Sequence, residues 1–182
     1  MEIIPTNIPD VLLVKPRVFE DERGFFMETY HQQKMRQAGI DVEFLQDNHS
    51  RSQKGTLRGL HYQVKNVQGK LVRVAIGTIL DVAVDLRKSS PSFGQWTSEI
   101  LSAENKHQLW VPPGFGHGFY VLSEYADVLY KATDFYNPQG ERCLLWNDPT
   151  VGVDWQIPEE EMPILSEKDK KGRLFDDVEV FD

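Results

Sequence analysis

Two neighbouring stretches, Leu57-Arg58-Gly59-Leu60-His61-Tyr62-Gln63 and Gly69-Lys70-Leu71-Val72-Arg73, set an arginine, a histidine and a lysine into apolar segments of strand character. An arginine suits a phosphate, a histidine suits proton abstraction near neutral pH, and a lysine suits a developing oxyanion. A hydrophobic core needs none of the three. Their clustering points to an active site that handles an anionic small molecule.

Other residues compete for roles there, each against a plainer reading. His61 lies between Leu60 and Tyr62, where a lone histidine is more often a satisfied structural group; Arg58 and Lys70 bring the two readings level. His117, in Pro112-Pro113-Gly114-Phe115-Gly116-His117-Gly118-Phe119, has the PxGxxH spacing of the second metal motif of cupin barrels. The first such motif needs two histidines two residues apart, on one face of a strand. Here the second position is Gln63, and no carboxylate follows at the usual spacing, so no metal is expected and His117 reads as a hydrogen-bond donor. Tyr130 and Tyr136 read as core aromatics, Asp169 as part of a solvated charged run, and Arg23 as a turn residue. His31, His49 and His107 read as surface residues, and Cys143, the only cysteine, as a small packing residue. No P-loop or GxGxxG fingerprint is present.

These side chains must be positioned by strands. Leu71–Ile76 and Leu80–Leu86 are rich in branched apolar residues and flank Gly77-Thr78, which reads as a hairpin turn. Further strands are expected at Val11–Phe19, Gln108–Val111, His117–Leu122 and Asp127–Phe135, separated by Gly- and Pro-rich turns. A helix is expected over Thr29–Gln37, capped at Gly39, and a second over Glu167–Arg173. The pattern suggests a sandwich or barrel. Strand parity puts Lys70 on the face of Val72, Val74 and Ile76, and Tyr130 on the face of Val128, Ala132 and Tyr136. In a small barrel such inward-facing ends define a ligand pocket.

The bulk numbers agree. A chain of 182 residues with 40% hydrophobic content suits one soluble domain over 1–182. A net charge of −8 argues against nucleic acid as a partner. No basic leader precedes an apolar run and no stretch suits a membrane span, so a cytoplasmic protein is expected.

Taken in order, DERGFF at 21–26, QDNHS at 46–50, LRGLHYQ at 57–63, QGKLVRV at 68–74, DVAVDLR at 81–87, SPSFGQW at 90–96, LSAENKHQLWVPPGFGHGF at 101–119, LYKAT at 129–133 and LSEKD at 165–169 closely resemble the dTDP-4-dehydrorhamnose 3,5-epimerase family. The resemblance runs from about residue 3 to Asp169. It implies an all-β, cupin-like jelly-roll barrel with a few short peripheral helices, working without a metal or other cofactor, as a homodimer, on a dTDP-linked 4-keto-6-deoxy sugar. It also implies roles: His61 as catalytic base, Asp169 as its orienting partner, Tyr130 as acid on the opposite face of the sugar, and Lys70 as stabiliser of the enolate oxygen. Arg23, Glu28, Gln46, Asp47, Asn48, Arg58, His117, Glu141 and Lys168 match nucleotide-sugar contacts, Tyr136 matches the position that stacks on thymine, and Phe26 is a further aromatic candidate. The competing readings are a sister enzyme inverting only C3 or only C5, a metal-dependent cupin, and a sugar-binding jelly roll.

Overall fold

The computed structural model describes residues 1–182. Thirteen strands dominate: β1 (Glu2–Pro5), β2 (Leu12–Lys15), β3 (Val18–Asp21), β4 (Gly24–Met27), β5 (Gln46–Gln53), β6 (Leu57–Gln63), β7 (Lys70–Ile76), β8 (Thr78–Asp85), β9 (Trp96–Ser102), β10 (Gln108–Val111), β11 (Phe115–Val121), β12 (Tyr125–Ala132) and β13 (Glu141–Cys143). Two short helices accompany them, α1 (Gln32–Gln37) and α2 (Glu167–Lys170). No helix is long and apolar enough to cross a membrane.

The strands form a six-stranded sheet in the order β1-β2-β10-β7-β12-β5 and a five-stranded sheet in the order β13-β6-β11-β8-β9. All the pairings within them are antiparallel. Their facing surfaces enclose one apolar cluster, to which the first sheet contributes Val72, Val74, Leu109 and Val128 and the second Ile79, Ala83, Phe119 and Val121. Val72 and Val74 are buried as the parity of Lys70 requires, and Val128 and Ala132 as that of Tyr130 requires. Ile76, at the far end of β7, is left 40% exposed. A second apolar cluster lies behind the five-stranded sheet, where Phe175, Val178, Val180 and Phe181 pack and Tyr62 Oη donates to the Glu179 carbonyl at 2.6 Å. The C-terminal segment is thereby strapped to the back of β6.

Several expected elements are altered, and the reasons are local. Gly77-Thr78 is not a hairpin: β7 and β8 enter different sheets, and Gly77 is the corner between them. Its φ of +81°, with the Tyr125 carbonyl 2.1 Å from where a Cβ would stand, admits only glycine. The Val11–Phe19 run is split into β2 and β3 at Pro16, which has no N–H for a ladder. β12 ends at Ala132 instead of Phe135, because the next side chains capture backbone donors: Thr133 Oγ1 takes Gly69 N–H and Asp134 Oδ1 takes Phe135 N–H. The first helix starts at Gln32 and not Thr29, and the tail helix stops at Lys170. Gly39 does adopt the left-handed conformation, at φ +88°.

Candidate active site

Register brings the candidate residues together. On β6 and β11, His61 stands directly opposite His117. Just beside them the strands approach closely: a Cβ on Gly118 would lie 2.7 Å from the Arg58 carbonyl, so a side chain there would push the two histidine strands apart. On the facing sheet, Tyr130 of β12 is flanked by Val72 of β7 and Asn48 of β5. The two sheets thus present His61 and His117 from one side and Lys70, Tyr130 and Asn48 from the other. Between them lies a cavity of about 220 Å³, also lined by Arg58, Ser50, His49 and Phe119. It adjoins a smaller one of about 100 Å³ that shares His61, Lys70 and Tyr130 and adds Gln63, Gln68, Tyr136 and Glu141.

Asp169 reaches this site from the other end of the sequence. Ser166 caps α2: its Oγ accepts from Asp169 N–H at 3.2 Å, while Asp169 Oδ2 accepts from Ser166 N–H at 3.1 Å and from its hydroxyl at 2.5 Å. This box turns Asp169 inward, 2% exposed, although its neighbours Glu167, Lys168 and Lys170 face solvent. Asp169 Oδ1 accepts from Gly59 N–H at 3.2 Å and lies 2.7 Å from His61 Nε2. That last contact is short but departs from a linear hydrogen bond. Burial would raise the Asp169 carboxyl; the close His61 ring and the donors from Ser166 and Gly59 outweigh it and hold the group down at about 2.

A stability prediction follows from that depression. A carboxyl lowered on folding stabilises the native state above its unfolded pKa and loses that contribution as pH falls toward the folded value. The stability gap between the wild-type chain and Asp169→Asn is expected to be about 2 kcal/mol at pH 7. It should close between about pH 4 and pH 2. Urea titrations at several pH values measure it; a gap that stays constant would mean the carboxylate is not held by these donors.

The cations and phenols are tuned too. Burial pulls the Lys70 ammonium down to about 8, opposed by the charges of Asp81 and Glu141 and assisted by that of Lys168. Burial raises the Tyr130 phenol. The Lys70 ammonium lies 5.9 Å from the Tyr130 ring centre. Arg58 donates Nε–H to Ser52 Oγ at 2.9 Å. Tyr136, 53% exposed, donates its hydroxyl to Glu141 Oε2 at 2.7 Å, and Glu141 pairs with Lys168.

Alternation on β5 divides the Gln46-Asp47-Asn48 run. Gln46 and Asn48 are half-buried, and Gln46 Nε2 donates to Asn48 Oδ1 at 3.0 Å. Asp47 faces the other way and pairs with Lys131 at 2.9 Å, which takes it out of the cavity that holds His61. Arg23, Phe26 and Glu28 are elsewhere as well. Arg23 and Phe26 sit on the β3–β4 hairpin, which stands as its own two-stranded sheet; the Arg23 side chain is 90% exposed and chelates Asp21, and Phe26 is 71% exposed. Glu28, just beyond it, pairs with Lys34. His49 is exposed as expected, at the edge of the cavity, with its Nε2 3.1 Å from Asp127.

Sequence reasoning missed Asp81. It lies on β8 between Ile79 and Ala83 on the inner face, fully buried, with Oδ1 2.8 Å from His117 Nε2. The one available signal was a carboxylate inside an otherwise apolar strand, Ile79-Leu80-Asp81-Val82-Ala83-Val84.

Comparison with known proteins bears on this arrangement. A family model described as dTDP-4-dehydrorhamnose 3,5-epimerase matches residues 5–177. The chain belongs to that family. It is 59% identical over 175 residues to the dTDP-4-dehydrorhamnose 3,5-epimerase of Pseudomonas aeruginosa, covering 96% of each chain. It is 57% identical over 178 residues to the enzyme of the same name from Salmonella typhimurium, covering 97% of this chain and 96% of the other. Its fold matches the crystal structure of the Legionella pneumophila dTDP-6-deoxy-D-glucose-3,5-epimerase in complex with dTDP-4-keto-L-rhamnose, with a TM-score of 0.94 at 49% identity, over 98% of this chain and 94% of that one. The chain is therefore an isomerase with dTDP-4-dehydrorhamnose 3,5-epimerase activity, in dTDP-L-rhamnose biosynthesis, built on the cupin-like fold.

One trio of potential metal ligands exists: His61, Cys143 and Asp169 bring a ring nitrogen, a thiol and a carboxylate oxygen within 4.8 Å of one another. Cys143 stands opposite His61 across β13–β6. Burial pushes its thiol up to about 12, and the Asp169 oxygens are engaged by Gly59 and Ser166. Gln63 is also committed. Its amide donates to the Asn66 and Phe135 carbonyls and accepts from Asn137 N–H, locking a loop at the cavity edge.

Proposed function

We propose that the epimerase inverts C3 and C5 of dTDP-4-dehydro-6-deoxy-D-glucose by two rounds of deprotonation and reprotonation through an enolate. The observation that carries this reading is the His61–Asp169 pair facing Lys70 and Tyr130 across one cavity. The substrate's C4 ketone makes the protons at C3 and C5 acidic, and removing either sends negative charge to O4. A cation at O4 stabilises that charge most in the transition state, which is the role of Lys70. His61 takes the proton, since an imidazole ring nitrogen is a base suited to abstraction near neutral pH. Asp169 fixes the tautomer and balances the imidazolium that forms.

Inversion requires the new proton to arrive from the opposite face. Tyr130 projects from the opposite sheet, retains its proton at neutral pH, and supplies it. Arg58, with its guanidinium steered by Ser52, suits the diphosphate, together with His117, Asn48 and Gln46. Tyr136 stacks on thymine, held by Glu141, which Lys168 braces. The acting unit is the whole chain as one domain.

Arg23, Phe26 and Glu28 fit this reading only in a homodimer. An exposed guanidinium on a separate hairpin does not reach its own cavity, whereas the same hairpin can enter the site of a second subunit. Asp47 lies at the edge of the neighbouring cavity on the outer face, beside Thr29 and Lys131, and is assigned to that border and not to the sugar.

The test is incubation with dTDP-4-dehydro-6-deoxy-D-glucose in deuterium oxide, with the product read by proton NMR and mass. Deuterium at both C3 and C5, in the L-lyxo sugar, is expected. Label at one carbon only would make the enzyme a single-site epimerase, and an unlabelled sugar would remove the enolate.

A further inference from the structure

Asp81 is an anomaly for the fold. Its neighbours on the inner face of β8, Ile79 and Ala83, belong to the apolar cluster between the sheets, and the Asp81 side chain is completely buried. A buried carboxylate is costly unless both oxygens are satisfied. Here Oδ1 meets His117 Nε2 at 2.8 Å, while Oδ2 is buried without a hydrogen-bond partner. An asparagine or a leucine would suit packing better. The sheet register explains what the carboxylate faces: Asp81 pairs with Phe119 and Ala83 with His117, so the carboxylate and the imidazole meet diagonally across β8–β11. His117, which Asp81 holds, lines the same cavity as Lys70 of the opposite sheet, and the charge of Asp81 reaches that ammonium.

We propose that Asp81 is a positioning residue for the epimerisation, fixing the His117 ring with one oxygen and giving the Lys70 ammonium a counter-charge with the other. The site then holds two carboxylate–imidazole pairs side by side on β6 and β11, His61 with Asp169 and His117 with Asp81, and they differ in function. The first moves a proton. The second moves none; it holds a half-buried lysine in its cationic form where the enolate oxygen develops. Lys70 is faced by Tyr130 of β12, Arg58 and His61 of β6, His117 of β11, Glu141 of β13 and Lys168 of α2. Among these groups Glu141 is the only other carboxylate, and it is already shared between Lys168 and Tyr136. Asp81 is therefore the counter-charge most open to Lys70.

This inference rests on Lys70 acting at O4, so the test separates the two. Asp81→Asn, Asp81→Glu and Lys70→Gln are compared with wild type by kcat and KM across pH 6 to 10 and by dTDP binding. Asp81→Asn is expected to lower kcat at least tenfold at pH 8, with KM and dTDP affinity within about twofold. Its alkaline limb of kcat should move to lower pH by half a unit or more. Asp81→Glu, which keeps the charge, should restore the wild-type limb with a smaller loss of kcat. A merely structural role would depress kcat evenly across pH and leave the limb in place, and that result overturns the proposal, as does wild-type kcat in Asp81→Asn. If Asp81→Asn does not fold, Asp81→Ser, which also removes the charge, takes its place: a limb moved to lower pH supports the counter-charge, and a limb left in place overturns it. Should Lys70→Gln turn over at the wild-type rate, the role of Lys70 falls and Asp81 with it; if Lys70→Gln is inactive and Asp81→Asn is normal, only the Asp81 proposal falls.

Discussion

Replacing His61 by asparagine is expected to abolish both epimerisations while leaving nucleotide binding intact. Asparagine keeps a polar group of similar reach but has no basic nitrogen, so the enolate cannot form at either carbon. General-base removal costs about 10²–10⁴ in rate, and here the upper part of that range is expected because one base serves two inversions. The fold should survive. His61 is only partly buried, its strand is braced by Leu57, Leu60 and Tyr62 in the apolar cluster behind the sheet, and Asp169 keeps its bonds to Gly59 and Ser166. Affinity for dTDP is expected within about twofold of wild type, since the base lies at the sugar end of the site and uniform binding is unaffected. The measurement is turnover by NMR alongside a calorimetric dTDP titration. Full turnover by His61→Asn would remove the base assignment, and a lost dTDP affinity would place His61 among the nucleotide contacts.

Tyr130→Phe should separate the two halves of each inversion. The phenyl ring preserves packing against the inner apolar cluster and the face presented to Lys70 at 5.9 Å; only the hydroxyl is lost. Deprotonation by His61 continues, and the enolate is reprotonated from the same face by the imidazolium. The substrate then exchanges its C3 and C5 hydrogens with solvent and keeps its configuration. In deuterium oxide, label should accumulate in unreacted substrate while the doubly inverted product forms about 10²-fold or more slowly. A normal rate of inversion in Tyr130→Phe would mean another acid protonates that face. Absence of exchange as well as inversion would mean the hydroxyl is needed to form the enolate, not to trap it.

The two experiments use a feature that strand alternation alone makes possible. His61 and Tyr130 come from different sheets and line one cavity from its two sides. Rigid strands fix that separation better than loops would, which suits a reaction whose stereochemistry depends on which face receives the proton.

Much of this was legible in the amino-acid sequence. The period-2 pattern of Lys70-Leu71-Val72-Arg73-Val74 and of Val128-Leu129-Tyr130-Lys131-Ala132 put Lys70 and Tyr130 on inward faces, and β10 runs over Gln108–Val111 as expected. Arg58, His61 and Lys70, clustered in the sequence, line one cavity in the fold, and the ordered motifs from DERGFF to LSEKD announced the family. Alternation encodes which face a side chain takes, because Cβ direction follows from backbone geometry residue by residue.

What the sequence by itself left undecided is which strands are neighbours. Gly77 looks like a hairpin turn between two apolar strands, yet those strands pair in separate sheets, because their partners are β10 and β12 on one side and β9 and β11 on the other. Only the tertiary structure decided the ion pairs. The segment holding Asp169 has the composition of a solvated face, and the box with Ser166 together with docking beneath Gly59 makes it buried. His61 finds it across 108 positions of chain, and Asp81 finds His117 across 36; local pattern has no term for either contact. The same limit explains Arg23 and Asp47, whose motifs mark them for the site while the fold turns them away from the cavity of their own chain. Pattern fixes direction from a strand, and packing alone determines what stands in that direction.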